Sequence, residues 1–157
     1  MRKALELVMP ARQIRFKAMG VFIHEGKILA SKGHDSHGDV YNFYRLIGGT
    51  IEFGETAQQA IHREILEELG TEIENVKLLD VVENIFQYEG RDGHQVIFLF
   101  SGDFVNKDLY QQETIKIHEV DYDAPDAYWI SCQDVIDGKV ILYPEFDYKK
   151  LLSQLTE

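Results

Sequence analysis

Cysteine is nearly absent from this sequence of 157 residues: Cys132 stands alone. No internal disulfide can form, and a reducing cytoplasm is the expected setting. A lone thiol of this kind reads as a small, partly buried hydrophobe rather than a nucleophile. Basic residues are scarce too, 16 Lys and Arg against 27 Asp and Glu, for a net charge of −11. Long nucleic acid rewards a basic face, so it is not an expected partner. A small phosphorylated substrate stays open, because a divalent cation can reverse the local potential. No run approaches the ~20 apolar residues of a membrane span, so no membrane association is expected. The apolar start after Arg2 and Lys3 is broken by Glu6, unlike a secretory signal. Repeats, low-complexity tracts and linkers are missing. The length suits one domain, residues 1–157, with 1–13 as an N-terminal extension set off by Pro10.

Taken in order, the pattern predicts a mixed α/β domain. Arg15 to Ile23 reads as a strand, with a turn at His24 to Lys27 and a partner strand from Lys27 to Ser31. Lys32 to Val40 reads as a polar loop. His34, Asp35 and His37 there are too few for a zinc site without a second His/Cys cluster. Tyr41 to Ile47 reads as a strand. Ile73 to Gln87 and His94 to Phe104 are two long strands around a turn at Glu89 to Gly93. Lys107 to Gln112 is expected as a loop, Glu113 to Val120 as a half-exposed strand and Tyr128 to Ile130 as a short one. Ser131 caps a short helix to Asp137, and Pro144 opens a final helix carrying Phe146, Leu151, Leu152 and Leu155.

The most informative stretch is GGTIEFGETAQQAIHREILEELG, Gly48 to Gly70. Thr56 and Gln59 make a capping-box pattern, and Gly70 stops the helix. Ala57, Ala60, Ile61, Ile65 and Leu69 recur at core-facing spacing. Glu64, Glu67 and Glu68 fall at i, i+3 and i+4 and so cluster. The bland reading is a solvated acidic face. The sharper one is a site for a hard divalent cation, which prefers several carboxylate oxygens plus water. Arg63, just before the cluster, can clamp a carboxylate such as Glu55 by a bidentate bond. Phe43, Tyr44 and Arg45 lie just before the glycines. Aromatics and an arginine there could stack a base and pair a phosphate, or could simply pack a sheet.

Five residues separate Gly49 from Glu55, and seven more lead to Arg63-Glu64-Ile65-Leu66-Glu67-Glu68-Leu69-Gly70. This resembles the Nudix hydrolase signature, G-x5-E-x7-R-E-U-x-E-E-x-G-U, with every fixed position matched. Thr71 stands where the last bulky apolar residue is usual, and a β-branched Thr can still pack. The resemblance implies a Nudix-type α/β/α sandwich with a mixed β-sheet. It implies Mg²⁺, with Mn²⁺ as a substitute, and cleavage within the phosphate chain of a nucleoside diphosphate derivative. The range runs from NTPs and oxidised dNTPs to nucleotide sugars such as ADP-ribose. By resemblance, Glu64, Glu67, Glu68 and the Gly48 carbonyl look like metal ligands. Glu55 and Arg63 look like the pair that ties loop to helix, and Gly49 and Gly54 like backbone-geometry positions.

The resemblance implies a general base either from the motif helix, for which Glu67 is the candidate, or from a loop before the last strand. That loop offers Glu119, Asp121, Asp123 and Asp126, with Glu119 favoured at a strand end. A homodimer is a family-level expectation. Two other readings stand beside the enzyme: a nucleotide-sensing Nudix-fold domain without turnover, and an RNA-end or cap hydrolase. The intact motif counts against the first and the −11 charge against the second.

Overall fold

The computed structural model describes residues 12–34, 40–118 and 126–155. The strands are β1 (Ile14–Gly20), β2 (Ile23–His24), β3 (Lys27–His34), β4 (Val40–Thr50), β5 (Ile73–Tyr88), β6 (Arg91–Phe104), β7 (Thr114–Ile115), β8 (Ala127–Ser131) and β9 (Ile141–Tyr143). The helices are α1 (Ala57–Leu69), α2 (Cys132–Ile136) and α3 (Tyr148–Leu155). The described strands form one mixed sheet in the order β5-β6-β1-β4-β3-β8-β7, with β2 on β3 and β9 on β4. β1 pairs β6 in parallel, and β4 pairs β9 in parallel; the other pairings are antiparallel.

Period-two alternation sorts the side chains onto two faces. Leu29, Ile47, Phe100 and Ala18 join Ala60, Ile61, Ile65 and Leu69 of α1 in one core. Their chain neighbours Ile28, Ala30, Leu46 and Leu99 join Val135 of α2 and Leu151 and Leu152 of α3 in the other. The sheet is therefore the middle layer of an α/β/α sandwich. β4 links the two parts of the sheet: Ile47 to Thr50 pair with β1, and Phe43 to Arg45 lie beside β9. Cys132 is buried in the second core, and burial pushes its thiol pKa up.

Several boundaries differ from the sequence reading. Lys32 to Val40 is not all loop, since β3 runs on to His34 and β4 starts at Val40. Asp35 and His37 lie outside the described residues. The cross-strand ladder overrides the polar composition there. The expected loop at Lys107 to Gln112 is a 3₁₀ turn over Lys107–Gln111, capped by the Asn106 side chain. The expected strand from Glu113 is reduced to two residues, though Ile115 and Ile117 are both buried. The final helix starts at Tyr148, where Asp147 Oδ1 accepts the Lys150 N–H at 3.1 Å, rather than at Pro144. β9 was too short to show in the pattern. Among the described residues no helix is long and apolar enough to cross a membrane.

Candidate active site

The capping box is formed as expected. Thr56 Oγ1 accepts the Gln59 N–H at 3.1 Å, and Gln59 Oε1 accepts the Thr56 N–H at 2.9 Å. Gly70 ends the helix at φ 69°. These two stops fix the phase of α1 against the sheet. In that phase Glu64 and Glu68, about 40° apart around the helix, lie within the buried stripe of Ala60, Ile61, Ile65 and Leu69. Glu68 is 8% exposed and the Glu64 side chain 12%, whereas that of Glu67 is 59%. A solvated acidic face therefore describes Glu67 only. A carboxylate turned into a protein interior costs free energy unless paired or bound to a cation.

The loop before α1 is shaped around these acids. Gly48 sits at φ 152°, and a Cβ there would collide with the Ala18 carbonyl of β1. A Cβ on Gly49 would overlap the Glu64 carboxylate, so the missing side chain lets Glu64 lie directly on the β4 backbone. Gly49→Ala is expected to lower turnover roughly 10–100-fold, the usual cost of misplacing a metal-site support. Circular dichroism should stay native, and a variant with full activity would show that Glu64 does not need this seat.

Arg63 ties the loop to the helix. Its Nε donates to Glu55 Oε2 at 2.7 Å and its Nη2 to Glu55 Oε1 at 2.9 Å, a bidentate pair. Nη2 also donates to the Thr50 carbonyl at 3.0 Å, and Nη1 donates to Glu64 Oε1 at 2.8 Å and to Glu67 Oε2 at 3.3 Å. Glu55, the largest influence, raises the Arg63 pKa further above its ordinary value, partly opposed by desolvation. Glu55 Oε1 in turn accepts the Glu52 N–H at 3.1 Å, and the Glu52 carboxylate lies 3.7 Å from Nη1. Glu52 occupies a variable position of the motif, so nothing in the spacing had marked it.

Four carboxylates, Glu52, Glu55, Glu64 and Glu67, thus surround one guanidinium, with Glu68 buried on the same helix. Among the described residues no three acidic, imidazole or thiol groups converge into a ready-made cage; Arg63 holds Glu64 and touches Glu67 instead. The donors nevertheless suit a hard divalent cation. They are all oxygen, and the excess negative charge around a single cation favours another positive ion.

The other candidates divide. Glu119, Asp121 and Asp123 lie outside the described residues; His118, the last described residue before them, donates its N–H to the Glu68 carbonyl at 2.9 Å. Phe43 and Arg45 share the sheet face of Ile47 and α1. Tyr44 does not: it packs into the opposite core, 6.5 Å from the Tyr128 ring, with Lys32 Nζ 5.3 Å from its centroid. Alternation along β4 separates it from its two neighbours, which corrects the expectation that all three would meet one substrate. A surface cavity of about 390 Å³ lies along α1 by His62, Leu66 and Ile73. It borders Arg63 but lies on the flank away from Glu64 and Glu68.

The family model described as the NUDIX domain matches residues 14–149. The NAD-capped RNA hydrolase NudC of Pasteurella multocida is 31% identical over 108 residues, which is 67% of this chain and 38% of that protein. The chain thus spans less than half the length of this curated relative. A NUDIX hydrolase structure from Nitrosomonas europaea has TM-score 0.63 at 18% identity, over 92% of this chain and 89% of the other. The MutT protein from Methanosarcina mazei has TM-score 0.62 at 16% identity, over 95% and 100%. At those identities the structures speak for the fold.

Proposed function

Because the chain belongs to the Nudix family, we propose that it is a divalent-cation-dependent pyrophosphohydrolase acting on a small nucleoside diphosphate derivative. The observation that carries this reading is the inward turn of Glu64 and Glu68 on α1, with Glu64 seated where Gly49 has no side chain. Glu64, Glu67, Glu68 and the Gly48 carbonyl would hold Mg²⁺, or Mn²⁺ in its place. Bound there, the ion neutralises phosphate oxygens and lowers the pKa of a coordinated water. The chain's own part is to keep the carboxylates fixed. Arg63 and Glu55 lock loop to helix, and the sheet beneath excludes water from one side.

The proton is taken by Glu119 in this reading, with Glu67 as the other candidate. The His118 N–H bonded to the Glu68 carbonyl supports Glu119, since it ties the residue just before it in sequence to α1. Glu119→Gln is expected to remove the acidic limb of the rate–pH profile and cut kcat roughly 10²–10⁴-fold. If Glu67→Gln does this and Glu119→Gln does not, the base lies on the helix. The whole reading is tested by product release from NTPs, oxidised dNTPs, ADP-ribose and dinucleotides with Mg²⁺, against a chelator control. No cleavage of any of them would sink it, and tight binding without product would favour a sensing domain.

A cap-hydrolase reading draws support from the name of the curated relative. The −11 charge opposes long RNA, which leaves the dinucleotide part of such a substrate. A homodimer is also proposed. Ile14, Phe16, Val81 and Ile85 are 43–73% exposed, and register puts them on the α1 face of the β1-β6-β5 end. A monomer by sedimentation at micromolar concentration would refute it.

A further inference from the structure

Thr71 stands where the motif usually ends on a bulky apolar side chain, and it is 3% exposed. A buried hydroxyl needs partners. It has two: Thr71 Oγ1 donates to the Glu72 carbonyl at 2.9 Å and accepts the Asn106 N–H at 3.0 Å. The Glu72 carbonyl also accepts the Val105 N–H at 2.9 Å, next to the pairing of Ile73 with Phe104. The β5-β6 ladder thus continues past its strands, to Val105 through a carbonyl and to Asn106 through a hydroxyl. Valine at this position would fill the same space and take that acceptor away from Asn106.

Asn106 starts a strap across the end of α1. Its side chain caps the 3₁₀ turn Lys107–Gln111. Trp129 Nε1 donates to the Leu109 carbonyl at 3.1 Å. Leu109, Ile115 and Ile117 are buried in the core that holds Ile61, Ile65 and Leu69 of α1. At His118 the backbone N–H reaches the Glu68 carbonyl at 2.9 Å. Both ends of residues 106–118 are therefore fastened to one end of α1, at Thr71 and Glu68 on either side of the Gly70 cap. A helix leaves its last carbonyls without intrahelical donors, and its last turn frays unless they are supplied from outside. Here the Leu66 carbonyl accepts the Gly70 N–H, and the Glu68 carbonyl accepts that of His118. The backbone so held carries an inward-turned carboxylate.

We propose that Thr71 is a positioning residue for the acidic site. Its hydroxyl anchors the strap at Asn106, the strap holds the last turn of α1, and Glu68 thereby keeps one place for a divalent cation. This deepens the hydrolase reading above and rests on it in taking Glu68 as a metal donor. Thr71 acts through the strap and not by contact with the ion.

The test compares the wild type with Thr71→Val, which keeps the shape and loses the acceptor, and Thr71→Ser, which keeps the acceptor. Mn²⁺ titrated calorimetrically into the substrate-free proteins is expected to bind Thr71→Val roughly ten-fold more weakly, the low end for losing an outer support of a metal site. Thr71→Ser should bind it as the wild type does. Amide exchange at His118 should be faster in metal-free Thr71→Val, reporting release of the strap at its far end. Trp129→Phe, which deletes the bond to Leu109 midway along the strap, should also weaken Mn²⁺ binding. A Thr71→Val protein that melts lower but binds Mn²⁺ like the wild type would overturn the proposal and leave the hydroxyl to the fold. Unchanged exchange at His118, or Thr71→Ser as weak as Thr71→Val, would overturn it too. A wild type that binds Mn²⁺ and shows these differences but cleaves no nucleotide would keep the anchor and reject the hydrolase. A wild type that takes up no Mn²⁺ would reject the anchor.

Discussion

Glu68→Gln is expected to lower turnover about a thousand-fold while raising the melting temperature of the metal-free protein. Both effects come from one location. Glu68 is 8% exposed, and Glu64, one turn earlier, is also turned inward. Like charges at this spacing repel by roughly 0.2–0.5 kcal/mol on an exposed helix, and by more where water is excluded. Gln keeps the shape and removes the charge, so the fold gains a few degrees. The same change removes a hard oxygen anion from the proposed metal face. Losing about 4 kcal/mol of transition-state stabilisation corresponds to about 10³ in rate. Kinetics with Mg²⁺ and a thermal melt in chelator test the two halves together. Turnover within ten-fold of the wild type, or a lower melting temperature without metal, would show that Glu68 serves the fold rather than the site.

The second large effect has the opposite sign for stability. Arg63→Ala should destabilise the protein by about 3 kcal/mol, the low end for breaking a buried ion pair, because the Arg63 side chain is 22% and that of Glu55 15% exposed. At about 2–4 °C per kcal/mol for a chain of this size, the melting temperature falls by about 6–12 °C. The cause is the company left behind: Glu52, Glu55, Glu64 and Glu67 lose their shared cation. Arg63→Lys should recover little of this, since an ammonium cannot reproduce the planar two-point bond to Glu55. Divalent cation should protect the Arg63→Ala protein more than the wild type, because it supplies the missing positive charge. An Arg63→Lys protein as stable as the wild type would mean that point charge alone suffices there.

The helix was readable from sequence because its signals are local. Thr56, Gln59 and Gly70 set its ends, and the apolar spacing set its inner face. The same spacing places Glu64 and Glu68 beside Ile61 and Ile65, but the acids themselves suggested solvent. Only the packing of α1 on β4, where Gly49 has no side chain, shows that two of the three glutamates face inward. Glu55 was expected to meet Arg63. The bonds to Glu64 and Glu67 lie within the helix, whereas the further bond of Arg63 to the Thr50 carbonyl depends on how the loop folds back over it.

Tyr44 shows the limit more sharply. Phe43, Tyr44 and Arg45 are adjacent and look alike in a one-dimensional reading. A strand sends neighbours to opposite faces, and which face is inward for binding depends on where α1 docks. β9 was hidden because three residues carry too little periodicity, and its pairing partner lies about a hundred residues earlier in β4. The sequence by itself determined the motif, the helix and the class of ion it suits, because those rest on spacing within one short segment. The tertiary structure alone decided the depth of each carboxylate, which of Tyr44 and Arg45 shares the face of α1, and the meeting of Tyr143 with Phe43. Those depend on where α1 docks and on register between distant strands, which no local pattern encodes.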